Sequence, residues 1–200
     1  MAIELLIDCI NQFARQQTNP VLSVIPSDGN IQQNRRYPEP VLQFENAGLR
    51  SYYHCHDMKK KPQDEHGHFH IFIQIQPDTW SHLAGLSMDN FGQPLQWFTV
   101  NQWVSGESWG EQKSLFDALD LLHINPESSL IERWLAAMLS VYQQTLKNLI
   151  HARNSTLNKL MTSDPLSKVL QDRTHYILSA CDIDFFNDIK QFSETNNYLT

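Results

Sequence analysis

Two short segments of this sequence gather histidine: His54-Cys55-His56 and His66-Gly67-His68-Phe69-His70. The chain has nine histidines, and these five fall between positions 54 and 70. A neutral imidazole offers a nitrogen lone pair that suits zinc, iron, copper, nickel and cobalt. Both segments carry the H-x-H spacing, and in a β-strand residues two apart point to one face. His54 and His56 therefore share a face, as do His68 and His70, with His66 one further step of two along. In an antiparallel hairpin that pairs His56 with His68, His54 falls opposite His70 and Tyr52 opposite Phe72. Directly opposed residues have Cβ atoms about 4.5–5.5 Å apart, so four imidazoles would crowd round one small volume. Zinc takes imidazole nitrogens at about 2.0–2.1 Å. The pattern predicts a divalent transition metal (Zn, Fe, Cu, Ni or Co) held by three or four of His54, His56, His66, His68 and His70.

Other groups belong to the same reading. Glu65 and Asp57 flank the histidines as ligands or bases. Gly67 removes a side chain between two ligands and permits close approach of a ligand or another strand. Further on, Asn101 and Glu107 are candidates to orient a ligand or fix a histidine tautomer. Glu65, Glu107 and Asn101 are thus the candidate catalytic residues. His82 is a candidate to approach from a third strand, and Cys55 alternates away from its histidine neighbours toward the core. His123, His151 and His175 stand isolated. The competing structural reading makes the histidines a solvated polar face, opposite a core face of Phe69, Ile71, Ile73 and Ile75.

The elements that must position these groups follow from periodicity. Residues 1–17 place Ile3, Leu6, Ile7, Ile10 and Phe13 at helical spacing. Residues 19–40 contain Pro20, Pro26, Pro38 and Pro40 and read as an irregular connection, with a short candidate strand at Val21–Ile25. Strands are predicted over 48–57, 68–76, 82–88 and 95–104. Asp89-Asn90-Phe91-Gly92-Gln93-Pro94 forms a hairpin loop, with Gly92 free to take positive φ. Helix follows over 113–122, and again from Asn125-Pro126 or the capping box Ser129/Glu132. Its stripe runs Ile131, Trp134, Leu135, Met138, Tyr142, Leu146, Leu149 and ends before Asp164-Pro165. Residues 175–181 are a candidate last strand and 184–192 a short helix. The order gives an α+β fold: an antiparallel sheet of four or more strands, about 48–104, joined if the last strand forms by 175–181, packed on helices from both ends of the chain. One domain spans 1–200, with an N-terminal helix (1–17), the sheet (48–104), a helical half (113–162) and a C-terminal strand and helix (175–200).

The stretch from Tyr52 to Trp109 resembles a bacterial family of hypothetical proteins described as a domain of unknown function. The residues that carry the likeness are Tyr52-Tyr53-His54-Cys55-His56, Glu65-His66-Gly67-His68-Phe69-His70-Ile71-Phe72, Ser87-Met88-Asp89 with Gly92 and Pro94, and Phe98-Thr99-Val100-Asn101-Gln102-Trp103-Val104-Ser105-Gly106-Glu107-Ser108-Trp109. The resemblance implies that the histidine segments and the 101–109 segment belong together. The shorter string from His66 to Phe72 resembles the signature of the histidine triad nucleotide hydrolases and transferases. That likeness implies a nucleophilic role for His68 toward phosphate. H-x-H on a strand is also similar to the cupins.

Composition narrows the partners. The 22 acidic and 15 basic residues give a formal charge of −7, which argues against a nucleic-acid backbone as partner. Lys59-Lys60-Lys61, the one basic run, reads as a solvated loop tip. Cys9, Cys55 and Cys181 show no disulfide spacing, which fits a reducing compartment. With no basic-then-apolar leader and no stretch of membrane-spanning length, the expected location is the cytoplasm, with no membrane partner. A small-molecule substrate or a metal ion is the expected partner. A small metal-dependent enzyme of hydrolase or oxygenase type is the leading function, ahead of a non-catalytic metal-binding or sensing protein and of triad-type nucleotide chemistry.

Overall fold

The computed structural model describes residues 2–44, 48–56, 64–123, 125, 127–162 and 164–197. Asp57, Lys59, Lys60, Lys61 and Pro126 lie outside the described residues. Six strands, β1 (Tyr37–Phe44), β2 (Leu49–His54), β3 (Gly67–Gln76), β4 (Thr79–Met88), β5 (Pro94–Val100) and β6 (Ile177–Asp182), form one sheet in the order of the sequence. Every neighbouring pair is antiparallel. Helix α1 (Ala2–Arg15) precedes the sheet. Helices α2 (Gln102–Ser105), α3 (Gln112–Asp120), α4 (Leu130–Val141), α5 (Gln143–Leu160) and α6 (Leu166–Val169) lie between β5 and β6, and α7 (Phe185–Asn197) follows. The fold is α+β.

Alternation along the strands sorts the sheet into two faces. One carries Phe69, Ile71, Ile73, Leu86, Met88 and Trp97 into a continuous hydrophobic core. The helices supply the other half of that core. Ile3, Leu6, Cys9 and Phe13 are the buried stripe of α1. Trp134, Leu135 and Met138 of α4 and Leu146, Leu149 and Ile150 of α5 extend it. The Trp134 ring reaches Phe69 at a centroid distance of 6.1 Å. The capping box Ser129/Glu132 starts α4 with both reciprocal hydrogen bonds in place, which fixes where this stripe begins. The hairpin loop after β4 closes with Asp89 N–H donating to the Gln93 carbonyl, and Gly92 sits at φ +79°.

Three expectations are corrected. Val21–Ile25 forms turns rather than a strand: Asn19 Oδ1 accepts from Leu22 N–H, giving the backbone a local alternative to pairing. Residues 37–40, read as the end of an irregular connection because of Pro38 and Pro40, open β1. It lies at the sheet edge and pairs with β2 alone, where missing N–H groups are tolerated. The strand through Val104 ends at Val100, because the Asn101 side chain accepts from Gln102 N–H and starts the single turn of α2. Asn101 and Trp103 therefore do not share a strand face.

Candidate metal centre

The histidines occupy the sheet face turned away from the helical core. On β3 that face carries His68, His70 and Phe72. Its register against β2 pairs His54 with His68 and Tyr52 with His70. The expected pairing of His56 with His68 is thus displaced by two residues. A shift of two preserves the face, whereas a shift of one would reverse it. The reason is that β2 ends at His54, leaving His56 beyond the ladder. Gly67 makes the close β2–β3 approach possible: a Cβ there would meet the His54 carbonyl at 2.5 Å and the Tyr53 hydroxyl at 2.6 Å.

His54 Nε2 lies 2.8 Å from His68 Nε2 and 3.1 Å from His70 Nε2. One ring nitrogen carries either a single N–H or a single in-plane lone pair, so it does not satisfy both neighbours by hydrogen bonding. A cation answers the geometry better, because three lone pairs then point at one centre. Ligand nitrogens at zinc-binding distance lie about 3.3 Å apart at the tetrahedral angle. One ligand atom from each of His54, His68 and His70 falls within 4.8 Å of the others, so the group can hold a metal ion.

Hydrogen bonds behind the rings set their tautomers. His68 Nδ1 is 2.9 Å from Glu65 Oε1. A carboxylate only accepts, so the proton sits on Nδ1 and the lone pair on Nε2. The Ser87 hydroxyl donates to Glu65 Oε2 at 2.5 Å. His70 Nδ1 lies 2.8 Å from His82 Nε2; donation from Nδ1 leaves the His70 Nε2 lone pair facing His54. A β-bulge brings His82 there. Ile71 pairs with Ala84 but Phe72 with His82, so Leu83 is the extra residue. Simple alternation from Leu86 and Ala84 would send His82 to the core; the bulge reverses the parity. His82 thus approaches from a third strand as expected, while Ser87 is a residue that sequence reasoning did not bring to the site.

The solvated-face reading is overturned. His68 is 4% and His70 2% exposed, with His82 buried beside them. Burial, then the neighbouring His68, His56 and Arg36, lowers the His54 pKa to about 3. Burial, then His68 and Arg153, lowers that of His82 to about 3. His70 moves in the same direction, by burial first and then by His68, His82, His54 and His56. All three rings are neutral at pH 7, the form that binds metal.

This carries a consequence for the metal-free chain. An unfolded histidine titrates near 6.5. Below that pH the unfolded state binds protons that the folded state refuses, so stability is complete above about 6.5 and is lost as pH falls toward the folded values. Counting only the two fully buried rings, His70 and His82, the loss between pH 8 and 5.5 is roughly 3 kcal/mol. Urea unfolding of EDTA-treated protein at the two pH values checks this; coincident midpoints would contradict neutral burial.

The remaining candidates are placed as follows. His56 stands beside the cluster, its ring centroid 4.5 Å from that of His54 and 5.1 Å from that of His68. Its Nδ1 is 3.2 Å from Asn34 Oδ1 and its Nε2 is 3.5 Å from the Tyr176 hydroxyl. His66 precedes β3 and turns to Tyr53, with Nδ1 2.6 Å from the phenol oxygen. Glu107 is ion-paired with Arg50, whose guanidinium covers the rings of Phe72 and Trp80. Asn101 is buried, with Nδ2 donating to the Val169 carbonyl at 2.9 Å and Oδ1 accepting from Gln102 N–H. Cys55 is buried.

A cavity of about 210 Å³ adjoins the cluster, lined by His56, Glu65, His68, Gln96, Phe98, Tyr176 and Ile177. Phe98 reaches it because Gly85, its partner across β4–β5, has no side chain. The Phe98 ring then stands edge-on to His68 at 5.2 Å.

Residues 1–183 match the family described as a domain of unknown function (DUF6969). No curated protein and no solved structure matches the chain. Among the described residues, no helix is long and apolar enough to cross a membrane.

Proposed function

The chain belongs to the DUF6969 family, and from its site we propose a small metal-dependent enzyme of hydrolytic type, with His54, His68 and His70 as the metal ligands. The convergence of their Nε2 atoms carries this reading. Three protein ligands beside a cavity leave a coordination position open, as catalytic sites do and structural sites do not. A divalent ion held there would supply an acidified water or a polarised carbonyl.

The chain's own residues favour hydrolysis over oxygen chemistry. Non-haem iron oxygenases use two histidines and one carboxylate. Here the carboxylate of Glu65 is turned to His68 Nδ1 and Ser87 Oγ. Three neutral ligands leave the full charge of the ion to act on its bound water. Glu65 and His82 are positioning residues that hold the rings of His68 and His70. His56, on the cavity wall, is placed to accept a proton from the nucleophile. Triad-type phosphate chemistry at His68 lacks support: among the described residues, none lining the cavity is Lys or Arg. The three free cysteines fit a cytoplasmic location.

The test is elemental analysis of protein produced without a histidine tag, followed by loading with cobalt. We expect about one metal ion per chain, and a visible cobalt spectrum that shifts when azide is added. A spectrum indifferent to azide would mean a closed coordination shell and a metal-holding protein without catalysis. Empty protein showing no thermal shift with Zn, Fe, Co, Ni or Cu would end the metal reading.

A further inference from the structure

The cavity beside the histidines has a chemical character that narrows what can enter. Its walls are the Phe98 ring from β5, the Tyr176 ring and the Ile177 side chain at the start of β6, with His56, His68 and Glu65 on the side of the metal ligands and Gln96 at the remaining position. None of these residues carries a positive charge. Its single carboxylate, Glu65, already has one oxygen on His68 Nδ1 and the other on the Ser87 hydroxyl. The Gln96 amide is tied outward, its Nε2 donating to Asp182 at 2.6 Å. Away from the metal position, an anionic group would find no Lys or Arg among the described lining residues to replace its water, and burying an uncompensated charge is costly. A cation would have to compete with His68 and Ser87 for Glu65. What the walls do offer is apolar and aromatic surface, the rings of Phe98 and Tyr176 and the Ile177 side chain, which suits a planar group.

Size points the same way. A dry apolar cavity of roughly 150 Å³ accommodates benzene, so about 210 Å³ takes a phenyl-sized group with a short substituent. His68 is both a ligand candidate and a wall of the cavity, so a molecule seated there has one end beside the metal position.

We infer that the substrate of this site is a small uncharged molecule with an aromatic or similarly planar apolar group, which lodges between Phe98, Tyr176 and Ile177 while its reacting polar group meets the metal. This rests on the metal-centre reading above. The walls come from distant parts of the chain, β5 and the segment leading into β6. Specificity is therefore set by residues that the histidine motif does not contain. Ile177 is 46% exposed, which places it at the mouth, where a change of side chain alters entry without disturbing the core.

The experiment compares two neutral ligands on the cobalt-loaded full chain: imidazole and 4-phenylimidazole, each titrated by the visible spectrum. Both offer the same nitrogen to the metal, and only the second has a group for the cavity. We expect 4-phenylimidazole to bind at least tenfold more tightly. The variant Ile177→Asp places a carboxylate at the mouth, and it should remove most of that preference while leaving imidazole affinity unchanged. If azide shifts the cobalt spectrum but the two ligands bind equally, the metal centre stands and the inference about substrate falls. If 4-phenylimidazole binds more tightly but Ile177→Asp leaves the preference intact, the phenyl group lies elsewhere and the inference is again overturned. If azide has no effect, the open-site reading fails first and takes the inference with it.

Discussion

Replacing His68 by alanine should lower metal affinity by more than 100-fold, and Glu65→Gln should lower it by about 10–100-fold. The ranking follows from what each residue touches. His68 Nε2 is one of three converging nitrogens, so its removal leaves a two-ligand site. Glu65 touches no metal position; it holds the far nitrogen of the same ring at 2.9 Å. Loss of such an outer partner typically costs about 10–100-fold. The glutamine retains an oxygen that accepts from Nδ1 and loses the charge that makes the imidazole a better donor to metal. His68 is buried, so the alanine variant also takes its ring from Glu65 and leaves a void in the wall of the cavity. Far-UV circular dichroism and a urea midpoint on the metal-free variants separate that structural cost from the loss of a ligand. Metal-ion titration of the three proteins reads the effect directly. Equal affinities across wild type, Glu65→Gln and His68→Ala would remove these residues from the site.

The site was legible in the sequence to the extent that period two is legible. H-x-H on a strand puts that strand's two histidines on one face, and any register that differs from the expected one by two residues keeps both strands' histidines together, as the structure does. The register itself depends on where β2 stops and how the chain crosses to β3. Nothing in the residue types decides between pairing His68 with His56 and pairing it with His54. His66 shows the limit of extending a period past a strand end. It lies one residue before β3 begins, so alternation no longer governs it, and its ring goes to Tyr53. His82 shows a second limit. A bulge at Leu83 changes which residues face the histidine cluster, and a bulge is a property of two paired strands, not of one.

The fold divides along similar lines. The stripe of α1 was readable because Ile3, Leu6, Cys9 and Phe13 recur on one face, whereas α4 is buried nearly all round, from Trp134 through Leu139. The capping box at Ser129 marks the start of α4 through groups that contact each other within one turn. β1 was hidden by Pro38 and Pro40, whose ordinary meaning is a broken strand; its place at the edge removes the penalty. Asn101 misled in the opposite sense, for its apolar-rich surroundings read as strand while its side chain was capping a helix turn. Its Oδ1 is spent on that turn and its Nδ2 on the Val169 carbonyl.

Gly85→Ala should destabilise the protein by about 1–3 kcal/mol and close part of the cavity. A Cβ at this position would run into the tip of the Phe98 ring, with Cε2 at 2.5 Å and Cε1 at 2.6 Å. The obstacle is a ring and not backbone, so the strand pairing survives and the ring must move. Phe98 stands on the histidine face, 5.2 Å from the His68 ring and 6.2 Å from His70 by centroids, and borders the cavity. Whichever way it shifts, it presses on a ligand ring or fills the space proposed for substrate. For a chain of this length the stability cost corresponds to a fall in Tm of roughly 2–12 °C. The cause is isolated by repeating the change in a Phe98→Leu background, where the ring is gone and the added methyl meets a smaller, more pliable side chain. Gly85→Ala should then cost much less, a coupling that contacting residues show and distant ones do not. The same penalty in both backgrounds would mean that Gly85 is required for some other reason, and that Phe98 does not owe its position against the histidines to the missing side chain.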